Sequence, residues 1–468
     1  MKKWYKLDNT GKLYSAVTKK GNTCVFRIAA ILTENIDPYA LREAAERTIK
    51  RFPTVAVKLR KGLFWAYLYE NKNPLIVHEE VDYPCAPIMG RNENNEYLFR
   101  IMYFGHRITL ECFHALADGK GAMEFLKALS YQYLLAVGKD VEDEGMILLP
   151  ESAPSPEEEE DGYARYYQKG VNKTILDTKK ARAIQGTVYK GHKTKVIHGV
   201  ISASQLNDYA RHNEVTITGY LAAVLAQAIF DSASQQEQCD HPIRISVPVN
   251  LRGMFPSKTL RNFISQVSVD VPSAPEKPFN DMVRSISTQM KSSITQEYFS
   301  SIMATYVGYE KMLASRVIPW IFKKAIINFV SKQSEGVTTS VLTNLGNIKL
   351  PKSMEKYVSM IEAVPPHKQS ASINCGVCSV SDKLNIAFSN NTEESDVIDR
   401  FFELISSQTG LEIEVYSNCN YNKSAEQEDM QECYPAYTTA KHEQRMQSTH
   451  IQSNFASFLH QWKAIIHI

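Results

Sequence analysis

The stretch His114-Ala-Leu-Ala-Asp118-Gly119 brings an imidazole, a carboxylate and a glycine within one turn of chain. An imidazole, with an ordinary pKa of about 6.5, takes and returns a proton near neutral pH, so a histidine held rigidly at a cleft edge suits general-base work. The residues before it, Arg107–Phe113, alternate as a strand does: Ile108, Leu110 and Cys112 share one face, Arg107, Thr109 and Glu111 the other. Beyond Gly119, Met123, Leu126, Leu129 and Tyr133 recur at helical spacing until Gly138 offers a stop. His114 therefore lies at the mouth of a strand. Asp118 lies at a helix start, where a carboxylate caps free N–H groups and is favoured by the helix dipole. On spacing alone the same residues also describe a capped turn with a buried histidine.

Composition narrows the setting. The 468 residues, 44% hydrophobic and 22% charged, describe a globular chain too long for one simple core, and two lobes are expected. A net charge of +2 gives no electrostatic case for a nucleic-acid partner. Lys2 and Lys3 are not followed by the apolar core of a signal peptide. No run of 18 apolar residues occurs, so no membrane span is expected; the nearest, Val317 to Val330, is interrupted by Lys323 and Lys324 and reads as an amphipathic helix. A cytoplasmic location is the resulting expectation. The eight cysteines are dispersed, as suits reduced thiols. Cys375 and Cys378 form a Cys-x-x-Cys within a strand-like run, where residues three apart face opposite ways, and the second pair of a four-thiolate zinc site is absent; no metal site is expected.

The residues divide into two similar halves. A first lobe, 1–139, contains strand Cys24–Leu32, a helix capped by Asp37 with Pro38 at its first position, further strands, and the His114 motif. Residues 140–185, with closely spaced prolines and the run Glu157-Glu-Glu-Glu-Asp161, read as an exposed, mobile connector. A second lobe, 186–420, opens as the first does, with strand Lys193–Ile201 and a helix capped by Ser202; Thr216 caps the next. Residues 421–468 are polar and irregular and read as a poorly ordered tail. The fold class expected is α+β: two lobes, each a mixed sheet covered by helices.

With these segments in place the chain resembles the acyltransferases of the chloramphenicol acetyltransferase fold, a superfamily that includes condensation domains, wax-ester synthases and polyketide-associated acyltransferases. The resemblance rests on His114-x-x-x-Asp118-Gly119, on Val247-Pro-Val-Asn-Leu-Arg252 followed by Asn262-Phe263, and on Thr343-Asn344-Leu-Gly346. The opening Trp4-Tyr-Lys-Leu-Asp8 is similar to the bacterial alcohol acetyltransferase-like branch. About residues 1–415 are covered.

The resemblance implies a substrate tunnel at the lobe interface and transfer of an acetyl or other short-chain acyl group from acyl-CoA to an alcohol or amine. No tightly bound cofactor is implied. His114 would be the general base, Asp118 would hold the loop by pairing with Arg252, and Gly119 would allow a sharp turn. Phe113, Asn262, Ser265, Asn344 and Gly346 are tunnel candidates, with Ser265 the candidate oxyanion donor. Phe113 stands where many relatives carry a first histidine, and the Asp-Phe-Gly-Trp-Gly signature of some branches is absent. Two alternatives accompany this reading: a donor delivered by a carrier protein, or a catalytically silent scaffold of the same shape.

Overall fold

Strand periodicity and helix capping organise the chain as follows. In the first half run β1 (Trp4–Lys6), α1 (Asn9–Val17), β2 (Val25–Leu32), α2 (Pro38–Thr48), β3 (Val57–Lys61), β4 (Ala66–Glu70), β5 (Val77–Glu79), β6 (Phe99–Phe104), β7 (Arg107–Phe113) and α3 (Gly119–Ala136). After the short α4 (Gly162–Tyr166) come β8 (Lys195–Ser202), α5 (Ala203–His212), α6 (Ile217–Asp231), β9 (Ile243–Asn250) and β10 (Ile264–Val271). Then follow α7 (Phe279–Ser293), α8 (Gln296–Lys311), α9 (Trp320–Gln333), β11 (Ser340–Asn347) and α10 (Lys352–Glu355). The last elements are β12 (Val358–Val364), β13 (Ile373–Val380), β14 (Lys383–Asn390), α11 (Asp396–Thr409) and β15 (Glu414–Ser417).

This computed structural model describes residues 3–418, except 20, 81–82, 89–92, 175–178, 190–193, 234–239, 273–277, 313–316, 334 and 367–371. All of these lie within the unit Met1–Cys433, and the expected tail at 421–468 falls outside the described residues.

The expected two-lobe α+β architecture is what the strands build. A five-stranded sheet has the order β12-β2-β7-β6-β5, a seven-stranded sheet the order β10-β9-β11-β13-β14-β8-β15, and a small sheet the order β1-β4-β3. Both large sheets are mixed: β5 runs parallel to β6, and β11 runs parallel to β9 and β13, while the other pairs are antiparallel. Two hydrophobic clusters form, one on the seven-stranded sheet and one on the five-stranded sheet that also takes in Val196, Cys378, Val380 and Ala387 of the seven-stranded sheet. On β13, Cys375 packs into the second-lobe cluster and Cys378 into the first, so this pair of thiols is split between two cores by strand alternation. Burial pushes both thiols well above their ordinary range.

The lobes are not segregated by sequence. Strand β12 comes from the second half yet pairs antiparallel with β2, adding an edge to the first sheet. Its Glu362 is buried and accepts from the Tyr416 hydroxyl at 2.8 Å.

The acidic run departs from its expected character. Ser155 caps a short 3-10 turn, Pro156–Glu159, and Glu158 is buried in a two-pronged pair with Arg51 (2.7 and 2.8 Å). Glu157, Glu159 and Glu160 each meet a different cation, Lys258, Lys3 and Arg165. Asp161 caps α4 and also accepts from the Asn9 backbone N–H at 3.0 Å. The carboxylates tolerate one another because each faces its own partner, and the segment is a docked strap rather than a free connector. It also grips the second lobe: the Leu260 N–H donates to the Glu158 carbonyl (3.0 Å), and the Thr259 hydroxyl to the Glu160 carbonyl (2.7 Å).

Candidate functional site

Strand β7 delivers His114 as expected. The His114 N–H donates to the Cys24 carbonyl at 2.8 Å, continuing the β2–β7 pairing by one step, and the chain then turns into α3. The imidazole stacks on Tyr14 of α1 (centroids 4.2 Å apart, planes 18° apart) and meets the edge of Phe26 on β2 at 5.0 Å. These rings restrict the histidine to one orientation. Burial pushes the Tyr14 phenol far above its ordinary range, so it remains neutral.

A second-lobe side chain fixes the imidazole's protonation pattern. Asn262 Oδ1 lies 3.0 Å from His114 Nδ1. The amide's other arm, Nδ2, faces the His114 carbonyl at 3.0 Å, which can only accept, and Asp8 Oδ2 at 3.2 Å, which accepts when ionised. That arm must therefore be the NH2, which leaves the carbonyl oxygen facing the ring. Nδ1 must then carry the hydrogen, and in the neutral imidazole the lone pair falls to Nε2.

Asp8 anchors this arrangement. It is buried, caps α1 by accepting from the Gly11 N–H at 2.6 Å, and accepts from Asn262. Burial, reinforced by the nearby Asp161 charge, raises its pKa from 3.8 to about 6. One carboxylate thus positions both the helix that stacks Tyr14 on the ring and the amide that sets the tautomer. Sequence reasoning quoted Asp8 only as part of the opening motif, without a role, and passed over Tyr14. The available signal was Asp8 ahead of Asn9-Thr-Gly-Lys, a helix N-cap placed before a short, weakly amphipathic stretch.

Asp118 is fully buried and accepts four hydrogen bonds. Oδ1 receives the Gly121 N–H (3.0 Å) and Arg252 Nη2 (3.3 Å); Oδ2 receives the Phe263 N–H (2.8 Å) and Arg252 Nη1 (2.8 Å). Arg252 in turn donates to the carbonyls of Thr259 and Arg261 at 2.6 to 3.0 Å. The expected Asp118–Arg252 pair is therefore a staple between the first helix turn of one lobe and the 250–263 segment of the other. Two glycines permit this approach. A Cβ on Gly119 would lie 2.8 Å from Leu345 Cδ2, and one on Gly121 would lie 2.0 Å from the Leu260 carbonyl oxygen. Gly121 is a further requirement of the site that the motif did not reveal.

The other candidates are placed unevenly. Phe113 and Asn262 have no accessible surface: Phe113 belongs to the first-lobe core, and Asn262 spends its amide on the bonds above, so neither lines an open path. Asn344 makes a turn, with its Oδ1 accepting from the Gly346 N–H at 2.8 Å and its Nδ2 donating to Thr218 at 3.0 Å. Gly346 has φ +73°, the left-handed conformation that favours glycine. Through Leu345 this turn abuts Gly119. Ser265 sits on β10 opposite Val249, and its hydrogen bond to Tyr163 partly counters the upward push of burial on that phenol. Asn344 and Ser265 are partly exposed, and Gly346 is exposed.

Comparison with known proteins defines the architecture. No family model and no curated sequence matches this chain. Among solved structures, polyketide synthase associated protein 5 from Mycobacterium tuberculosis matches with a TM-score of 0.55 at 15% identity, over 86% of this chain and 97% of that one. Trichothecene 15-O-acetyltransferase from Fusarium sporotrichioides matches with a TM-score of 0.55 at 12% identity, over 86% and 94%. The starter condensation domain of rhizomide synthetase, in complex with C8-CoA, matches with a TM-score of 0.51 at 11% identity, over 87% and 95%. At these identities the likeness establishes the fold, the two-lobe architecture of condensation domains and chloramphenicol acetyltransferase-like proteins.

Proposed function

We propose that this protein is an acyltransferase that moves a short acyl group from acyl-CoA to an alcohol, with His114 as general base. The observation that carries the reading is the orientation of His114, whose Nδ1 is engaged by an Asn262 carbonyl that can only accept. A base fixed in this way presents an unprotonated Nε2 without having to select a tautomer at each turnover. Support also comes from fold neighbours named as an acetyltransferase and as a protein bound to C8-CoA.

The chemistry follows directly. Nε2 removes the proton from the acceptor hydroxyl as its oxygen attacks the thioester carbonyl carbon. The imidazolium that forms keeps both nitrogens protonated, which suits the Asn262 carbonyl at Nδ1. Collapse of the tetrahedral intermediate breaks the carbon–sulfur bond, and the proton on Nε2 passes to the departing thiolate. Asp118 and Arg252 touch neither reactant in this scheme; they hold the turn and the facing segment in register. Asn262 and Asp8 are positioning residues that set the imidazole's tautomer. Leu345, in the Asn344–Gly346 turn, lies against Gly119, and this proximity supports a donor path that passes the turn.

The test is release of CoA from acetyl-CoA across a panel of alcohols, with wild type and His114→Ala compared. Acceptor-dependent turnover that falls about a hundred- to ten-thousandfold in the variant is expected of a lost general base. A folded His114→Ala protein with undiminished turnover would remove His114 from the mechanism.

A further inference from the structure

Helix α9, which the acyl-transfer reading does not use, displays an apolar face to solvent. Ile321 and Phe322 are 78% and 56% exposed, and Phe329, two turns further on, is 51% exposed. Val317 precedes the helix at 62%, and the β3–β4 turn adds Leu63 at 71% and Phe64 at 42%. The two segments are joined into one surface. The Trp320 N–H donates to the Leu63 carbonyl (2.7 Å), Lys323 Nζ donates to the Phe64 carbonyl (2.8 Å), and Trp65 and Trp320 pack with centroids 6.0 Å apart. Single exposed apolar residues are ordinary on a protein surface, whereas a contiguous group of this size marks an interaction site.

The surrounding charge identifies the occupant. Residues 317–333 contain Lys323, Lys324 and Lys332 and no aspartate or glutamate, and Lys61 is exposed at the end of β3 beside Leu63. A helix with bulky apolar side chains on one face, lysine as its only charged residue type, and too little length and apolarity to span a bilayer is built to lie in a lipid interface. Lys323 is buried against the Trp65 ring and bonded to the Phe64 carbonyl, so Lys324, Lys332 and Lys61 are the lysines that this surface presents to solvent. We propose that the α9 face, with Leu63 and Phe64, docks this protein onto an anionic lipid surface. The contact goes beyond the acyl-transfer reading and does not depend on it.

The experiment is co-flotation of the full-length protein with vesicles of phosphatidylcholine alone or of phosphatidylcholine with phosphatidylglycerol. Binding should require the anionic lipid and weaken as salt rises. The double variant Ile321→Asp/Phe322→Asp should lower partitioning about tenfold or more. Lys324→Glu, which leaves the apolar residues in place, should lower it by a smaller factor. Both substitutions fall on residues whose side chains face outward at least in part, and thermal unfolding is followed for each to show that the fold persists. Failure of the wild type to float with either vesicle overturns the proposal, as does binding that the double variant retains. Concentration-dependent self-association without vesicle binding, abolished by the same double variant, would instead assign the face to a second copy of the chain.

Discussion

Asp8→Asn is the sharpest probe of the site because it separates tautomer control from folding. In the wild type both Asp8 oxygens accept, one from the Gly11 N–H and one from Asn262 Nδ2. An asparagine caps a helix as well as an aspartate, so its oxygen can retain the Gly11 bond and α1. Its NH2 then confronts the NH2 of Asn262, donor against donor. Asn262 escapes only by flipping, which turns its own NH2 toward His114 Nδ1 and moves the imidazole proton to Nε2. The proposed base would then face the acceptor hydroxyl with N–H. In serine proteases an Asp-to-Asn change that imposes the wrong histidine tautomer costs about 10⁴ in kcat, so a loss of about 10² to 10⁴ is expected here.

Stability should respond differently. Raising the Asp8 pKa from 3.8 to about 6 corresponds to a net cost on the order of 3 kcal/mol for the ionised form, with burial its largest cause, at about 1.4 kcal/mol per unit. The variant removes that cost and takes on a mispaired buried amide, about 1–3 kcal/mol. Its stability near pH 7.5 should therefore stay close to that of the wild type. The folded chain binds more protons at Asp8 than the unfolded chain does between 3.8 and about 6, so this group's contribution to stability falls as pH rises through that window. The variant should lack that fall. The assays are thiol release from acetyl-CoA, urea unfolding at several pH values, and nitrogen-15 spectra of the His114 ring assigned by difference from His114→Ala. Wild-type kcat in a folded Asp8→Asn protein, or an unchanged Nδ1–H tautomer, would refute the reasoning.

Arg252→Met leaves the fully buried Asp118 carboxylate without its guanidinium and should cost about 3–5 kcal/mol in urea unfolding. Arg252→Lys should recover little, since one ammonium cannot span both carboxylate oxygens and the Thr259 and Arg261 carbonyls. Gly121→Ala places a Cβ 2.0 Å from a backbone oxygen and should destabilise by about 1–3 kcal/mol while lowering kcat through displaced Asn262. Gly119→Ala meets only the end of a flexible leucine and should be milder on both measures; the reverse order would count against the close approach at Leu260.

The central motif was legible because its periodicity changes sharply, from alternation along β7 to helical spacing along α3, with Asp118 at the junction as cap. Arg252 was identified through resemblance, and its geometry matches that expectation. Three features escaped for a shared reason. Asp8 caps, and Tyr14 lies on, a short helix containing Gly11, whose position against the Ala115 carbonyl explains the missing side chain only in three dimensions. Strand β12 contains a glutamate, and its hydrogen-bond partner Tyr416 is 54 residues away. The acidic strap was read by charge density alone, yet Glu158 owes its burial to Arg51, 107 residues earlier. Local pattern reports local energetics; each of these is decided by a distant partner.

The spacing within the motif acquires a mechanical sense from these contacts. His114 ends a strand of the first sheet, while Asp118, one turn later, is held by the 250–263 segment of the other lobe. That segment carries Arg252, which grips Asp118, and Asn262, which orients His114. A buried ion pair contributes little net stability relative to apolar packing, because desolvation offsets most of its attraction. It is nevertheless strongly directional when two guanidinium nitrogens meet two carboxylate oxygens. The staple therefore acts on register: it fixes the 250–263 segment against the His114 turn to within a hydrogen-bond length. Slippage at the seam would displace Asn262 together with Arg252 and release the imidazole's tautomer before either sheet lost its core. Substitutions that loosen the seam should accordingly lower turnover at temperatures where the protein is still folded.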